Sequence, residues 1–341
     1  MARELGWIDQ VVEDALEPEL PVCDPHHHFW KHRAGGHLRN PRYLLEELVA
    51  DTTSGHNITS TVFIECRQEY RPDGPVEMRP LGETEFVRAL AEESAAGATG
   101  AMKAAAAIIG HVDLTLGERA RAVLEAQIEA GGGRFRGIRH TASWDASDAV
   151  RNGYLNPPPG LYLDRSFRAG FSHLAPLGLT FEAWCYHPQV PDVTSLARAF
   201  PETTIVMDHL GGPLGLGPYA ERRDDVFRHW QGVITDLASC PNVMIKLGGI
   251  QMDVNGFHWE DRPKPPTSEQ LARATRPWHE FALETFGTDR AMFESNFPVD
   301  KLSCGYGVLW NSFKRIASGA TAGEKAKLFH DNAVRVYRIG E

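Results

Sequence analysis

The sequence predicts a single (β/α)8 barrel. About eight short apolar, β-branched runs recur along 341 residues, each followed by a longer stretch with helical spacing, and polar residues collect where the runs end. Alternating strands and helices imply a parallel sheet covered by helices, and a count of eight favours closure into a barrel. An open doubly wound sheet is the structural alternative. The strands are expected near Leu20–Asp24, Ile58–Glu65, Lys103–Ile109, Phe135–Arg139, Leu179–Cys185, Thr204–Asp208, Val243–Leu247 and Arg290–Glu294. Between them lie amphipathic segments at Glu83–Ser94, Gly117–Ala130, Val193–Phe200, Asp225–Ala238 and Pro277–Phe286. The segment Ala320–Tyr337, with Leu328, Phe329, Ala333, Val334 and Tyr337 at helical spacing, closes the chain.

The composition, 42% hydrophobic, supplies a large core, but the length alone admits either one large barrel or two ordinary domains. The long loops at Arg67–Gly82, Trp144–Gly160 and Gly249–Pro266 read as lids and pocket walls. One domain over residues 1–341 is therefore expected, with 1–19 as an N-terminal extension. A net charge of −10 with mixed signs lacks the basic footprint of a nucleic-acid binder. No apolar run is long enough to span a bilayer. The acidic start, Met1 to Glu19, lacks the basic-then-apolar pattern of a secretory signal, and five scattered cysteines form no Cys-x-x-Cys pair. Buried free thiols in a cytoplasmic protein are the expectation.

Polar groups mark the strand ends. The first run ends in Asp24-Pro25-His26-His27-His28-Phe29-Trp30, the second at Glu65, the fourth at Arg139-His140, and the fifth passes through Trp184 to Tyr186-His187. The sixth ends in Asp208-His209, the seventh carries Lys246, and the eighth runs out through Glu294-Ser295-Asn296. Parallel strands place all their carboxyl ends at one rim, where barrel enzymes carry their chemistry. In extended chain His26 and His28 point to the same side, and neutral imidazole is a common ligand of catalytic zinc. The glycine-rich run Gly211–Gly217 fits neither a dinucleotide fingerprint nor a P-loop, and no Gly-x-Ser-x-Gly elbow occurs. No organic cofactor is expected.

The run Asp24–Trp30 resembles the first-strand signature of the amidohydrolase superfamily, and more narrowly the amidohydrolase-2 branch of sugar lactonases and 2-pyrone-4,6-dicarboxylate lactonases. Similar motifs follow in order at Gly137–His140, Asp208–Pro213, Val243–Gly249 and Phe293–Asp300, so the likeness spans Leu20 to Tyr337. The resemblance implies a TIM barrel, a hydrolase of a small carboxylated or sugar-derived ring, and a metal in some members. Two departures bear on that chemistry. Where the family places a proton-accepting aspartate on strand eight, this chain has Asn296, an amide that can orient water but cannot act as a general base near neutral pH. Around Tyr186–Gln189 the register of the expected strand-five histidine is unclear, and Gln189 can occupy its place.

These features assign catalysis to His26, His28, His209 and Asn296, and substrate binding to Glu65, Arg139, Tyr186 and Lys246. A divalent metal, zinc or manganese, would sit on His26 and His28; metal-dependent and metal-free chemistry both stay open. Arg139 suits an anionic group of a small substrate, with a structural ion pair as the plainer role. Lys246 could polarise a carbonyl or pair with Asp208 or Glu294. Glu65, Glu294 and Asp24 are unranked candidates for the missing base. Aromatic walls could come from Trp30, Trp144, Tyr186, Trp259 and Trp278. A lactone hydrolase is the leading reading. A metal-free lactone isomerase or decarboxylase is the alternative, and a non-catalytic binding or scaffold barrel is the third; whether the protein forms a homo-oligomer stays open.

Overall fold

A computed structural model describes residues 6–33, 41–153 and 155–340. Eight strands form one parallel sheet in sequence order: β1 (Pro21–His27), β2 (Asn57–Ile64), β3 (Lys103–Gly110), β4 (Phe135–Arg139), β5 (Thr180–Ala183), β6 (Ile205–Met207), β7 (Val243–Leu247) and β8 (Ala291–Phe293). The first and last strands meet through the backbone: Asn296 N–H donates to His26 O at 2.9 Å, and His28 N–H to Phe297 O at 2.8 Å. The sheet thus closes into the (β/α)8 barrel that the alternation predicts.

The helices are α1 (Leu45–Thr52), α2 (Leu81–Glu93), α3 (Ala120–Ala130), α4 (Arg165–Phe171), α5 (Val190–Ala199), α6 (Arg223–Ala238), α7 (Ser268–Phe286), α8 (Tyr306–Ile316), α9 (Ala322–Ala326) and α10 (Asn332–Tyr337). Thr267 starts α7 with a capping box to Gln270, so this helix begins nine residues before Pro277, which lies inside it. Three helices escape the sequence pattern. Helices α1 and α4 are eight and seven residues long, too short to establish a period. In α8 even Asn311, Ser312 and Lys314 are buried, which erases its polar face. The N-terminal segment covers it: Leu16 N–H donates to Asn311 Oδ1 at 2.8 Å, and Lys314 Nζ donates to Leu16 O at 2.7 Å. Met1–Leu5 of the expected extension lie outside the described residues.

The core has two layers. A large cluster fills the space between sheet and helices, while Cys23, Val62, Ile64, Ala107, Val206 and Met244 fill the barrel interior. Ala333, Val336 and Tyr337 of α10 plug the interior cluster at the barrel's amino-terminal end, and Tyr337 Oη donates to Glu182 Oε1 at 2.7 Å. With one end plugged, the opening left for a substrate lies at the carboxyl rim. All five cysteines are free and buried. No helix among the described residues is long and apolar enough to cross a membrane.

Candidate active site

Strand one alternates as extended chain requires. His26 turns into the barrel, His27 turns out to Thr61 Oγ1 at 2.8 Å and packs on Phe29, and His28 turns back toward the mouth. The rings of His26 and His28 are 5.0 Å apart edge to face. His28 donates from Nδ1 to Ile64 O at 2.8 Å, which fixes the tautomer and leaves Nε2 as an acceptor. Burial, with His26 and Arg139 nearby, holds its pKa well below the ordinary value, so the ring is neutral.

After β6 the chain makes a left-handed turn through four successive residues, His209, Leu210, Gly211 and Gly212, with φ of 52°, 55°, 70° and 58°. The strain this places on His209 and Leu210 is of order 1–3 kcal/mol each, a cost typical of functional sites. It directs His209 Nδ1–H onto Glu294 Oε1 at 2.7 Å and leaves Nε2 free of that pair. The same ring rests on the Gly248-Gly249 backbone. A β-carbon at Gly249 would lie 2.1 Å from His209 Nδ1, and one at Gly248 would lie 2.2 Å from Glu294 O. The second half of the Val243–Gly249 motif is therefore explained: only glycine lets strands six, seven and eight approach closely enough to form the His209–Glu294 pair.

Beneath that pair lies a buried charge lattice. Lys246 Nζ is 2.7 Å from Glu182 Oε2 and 3.2 Å from Asp208 Oδ1, and Arg139 holds Glu65 Oε1 at 2.8 Å and Asp208 Oδ2 at 3.4 Å. Burial raises the Glu182 carboxyl to about 8. Burial would also raise Asp208 and Glu294. Facing Lys246 and His26 instead hold Asp208 far below the carboxylate range, and His209 and His26 do the same for Glu294. His26 is pressed toward its neutral form by burial and by Lys246, whose Nζ lies 3.2 Å from His26 Nδ1.

Above the lattice opens a cavity of about 250 Å3. His28, Arg139, Trp184, Tyr186, His209 and Asn296 line its inner part; Arg33, Arg151 and Asp253 stand on walls contributed by the loops. Of the eight residues picked out from the sequence, His28, His209, Asn296, Arg139 and Tyr186 thus reach the cavity. His26, Glu65 and Lys246 lie fully buried and do not line it. Lys246 is placed as part of the ion lattice, and Glu65 as the partner of Arg139. Gln189 ties loops together, its Oε1 accepting from Trp144 N and its Nε2 donating to Ala142 O. Trp30, Trp259 and Trp278 are packed in the core, and Trp144 lines a different surface. Arg33, Arg151 and Asp253 went unmarked in the sequence, and Trp184 was placed on the fifth run without a role. Trp184 alone carried a signal, its place at the end of β5.

His26, His209 and Glu294 bring ligand atoms within 4.8 Å of one another, and His28 is not in that group. This group shares His26 with the expected His26–His28 pair, whose rings lie 5.0 Å apart. Glu294 Oε2 lies 2.8 Å from His26 Nδ1 yet, like Asp208 Oδ1, lacks a donor in hydrogen-bonding direction. A buried carboxylate oxygen short of a donor, beside two imidazoles, fits a divalent ion such as zinc or manganese.

A sequence profile of the Amidohydro_2 family, described as amidohydrolase, matches residues 23–339. The chain belongs to the amidohydrolase family. It is 31% identical to the uncharacterized protein y4mH of Sinorhizobium fredii over 94% of this chain and 99% of that one. It is 25% identical to an L-fucono-1,5-lactonase of Burkholderia multivorans over 93% of this chain and 96% of the relative. A crystal structure of a Burkholderia multivorans amidohydrolase with bound zinc superposes with a TM-score of 0.72 at 24% identity, covering 93% of this chain and 99% of that chain. As a member of this family, the chain is an enzyme of the amidohydrolase type whose site can hold a divalent metal.

Proposed function

We propose that this amidohydrolase opens the ring of a small lactone by hydrolysis. The observation that carries the reading is the buried His209–Glu294 pair at the floor of a cavity the size of one ring, next to the neutral imidazole of His28. The L-fucono-1,5-lactonase relative supports the substrate class.

In this reading the water lies between Asn296 and His209. His209 Nε2 takes one proton as the water oxygen bonds to the lactone carbonyl carbon, and Glu294 stabilises the imidazolium that forms. The Arg139 guanidinium faces the carbonyl oxygen as it gains charge. The tetrahedral adduct then collapses with cleavage of the bond to the ring oxygen, which receives the proton from His209. The product is the open hydroxy acid. Alternatively, His26, His209 and Glu294 would hold a divalent ion; His209 would then be a ligand instead of the base, and the ion would supply Lewis-acid polarisation of the carbonyl. Arg33 adds positive charge to a cavity wall on which Arg151 is paired with Asp253, and would favour an anionic substrate.

A panel of sugar and carboxylated lactones, assayed with and without added zinc or manganese, tests the proposal. Ring opening in heavy-oxygen water should place one solvent oxygen in the product carboxylate. Product without solvent oxygen would point to an isomerase. No turnover of any lactone under either condition would refute the hydrolase reading.

A further inference from the structure

In the position where the family carries a strand-eight aspartate, the chain has an amide, and an amide has one end that accepts hydrogen bonds and one that donates them. We infer that Asp300 is a positioning residue that orients the Asn296 amide, so that its carbonyl oxygen rather than its NH2 group is offered to the attacking water. This rests on the hydrolytic reading above and extends it to a residue outside the cavity.

The geometry is specific. Asn296 sits in the left-handed region at φ 53°, a conformation asparagine tolerates better than most residues, and its N–H is committed to His26 O. One turn later Asp300 N–H donates back to Asn296 O at 3.1 Å, and Asn296 Nδ2 donates to Asp300 Oδ1 at 2.8 Å. The Asp300 side chain is wholly buried, and no lysine or arginine among the described residues lies within ion-pairing distance of it. Its other oxygen, Oδ2, accepts only from Gln251 N–H at 3.4 Å. A carboxyl group buried without a cation is costly, and here it is placed where it can accept from the amide nitrogen. An ionised Asp300 can only accept, which turns Nδ2 toward it, whereas an amide at 300, its oxygen held by Gln251 N–H, would present NH2 and reverse Asn296. With Nδ2 drawn toward Asp300, Oδ1 is the end left to the cavity that Asn296 lines.

The carbonyl end matters because the attacking water has two protons and His209 takes only one. A carbonyl oxygen can accept the other and aim a lone pair at the substrate. An NH2 group in the same place would take up that lone pair. A carboxylate at this position, having two equivalent oxygens, would need no orienting partner. The combination of Asn296 with Asp300 therefore carries out with two residues the alignment that one symmetrical carboxylate provides.

The test compares Asp300→Asn, Asp300→Ala and the swap Asn296→Asp/Asp300→Asn in the full-length enzyme. Either single change at 300 should lower kcat by roughly 10–100-fold with KM little changed, as loss of an outer partner typically does. The swap should recover most of that loss, since a carboxylate at 296 presents an oxygen whichever way it turns. Wild-type kcat in Asp300→Asn, or a swap no better than the single variant, would overturn the proposal. A purely structural role would leave the swap as impaired as the single change. A second readout needs no turnover: in 15N-asparagine-labelled protein the Asn296 side-chain NH2 signal, assigned by its loss in Asn296→Asp, should exchange slowly with solvent and lose that protection in Asp300→Ala. Unchanged protection overturns the orientation. If the protein opens no lactone but this protection is lost as expected, the hydrolytic reading fails while the orienting role of Asp300 stands.

Discussion

Gly249→Ala is the substitution with the most direct predicted effect, because the added methyl has a single, identifiable victim. Gly249 has φ +62°, and a β-carbon there would lie 2.1 Å from Nδ1, 2.4 Å from Cγ and 2.7 Å from Cβ of His209. Ordinary contact requires the imidazole to retreat by about an ångström. Its Nδ1 is already hydrogen-bonded to Glu294 at 2.7 Å, so retreat breaks or redirects that bond. A displacement of about 1 Å in a reacting group can cost about 100-fold in rate. The left-handed backbone adds roughly 1–2 kcal/mol of strain for alanine over glycine. For a chain of 341 residues that strain corresponds to a fall in Tm of roughly 1–3 °C. The expected variant is thus folded at room temperature, slightly less stable, and at least about 100-fold lower in kcat/KM. Lactone-opening kinetics and a thermal melt read the two effects separately. A variant that keeps full activity would refute the placement of His209 as the base.

Glu294→Gln should preserve the fold yet lower kcat by roughly 100- to 10,000-fold, the usual range for a general base, because a neutral amide no longer stabilises the His209 imidazolium; stopped-flow or steady-state kinetics would show it. Metal competition against a chromogenic chelator should give one equivalent of zinc bound to wild type and to His28→Ala, and none to His26→Ala or Glu294→Gln; loss on changing His28 would return the metal to the His-x-His pair. Stability should collapse in acid, as followed by circular dichroism across a pH series. Burial holds His27, His140 and His187 at about 3 and His279 at about 4, against 6.5 for an unstrained histidine. Below 6.5 the unfolded chain binds protons that the folded chain refuses, so each such residue removes about 1.4 kcal/mol of stability per pH unit lowered. The carboxyls of Glu83 and Glu182, raised to about 8 by burial, oppose this between pH 8 and their ordinary 4.5. The steepest loss should therefore fall below about pH 4.5, and a flat stability profile from pH 6 to 4 would contradict the neutral burial of these histidines.

The sequence alone determined the barrel and the rim. Strand spacing, the polar residue at each strand end and the alternation that sends His26 and His28 one way and His27 the other are local properties, set by a period of two along the chain and by parallel order. For that reason β4 and β7 coincide with the sequence reading residue for residue. Helix α8 was hidden because its polar side chains are buried under the N-terminal segment, a contact between residues some 300 positions apart. Tertiary structure likewise decided the partners of each rim residue. From the sequence, Lys246 reads equally well as a substrate contact or an ion pair, Arg139 reads first as a substrate contact, and Glu65 reads as a candidate base or substrate contact. Only closure of the barrel buried Lys246 against Glu182 and Asp208, and Glu65 against Arg139, leaving Arg139 alone of the three at the cavity. Closure also brought Glu294 to both His26 and His209, a grouping that strand one alone could not show. Strand order fixes which side chains reach the rim; charge pairing in a desolvated interior fixes which of them remain available to a substrate.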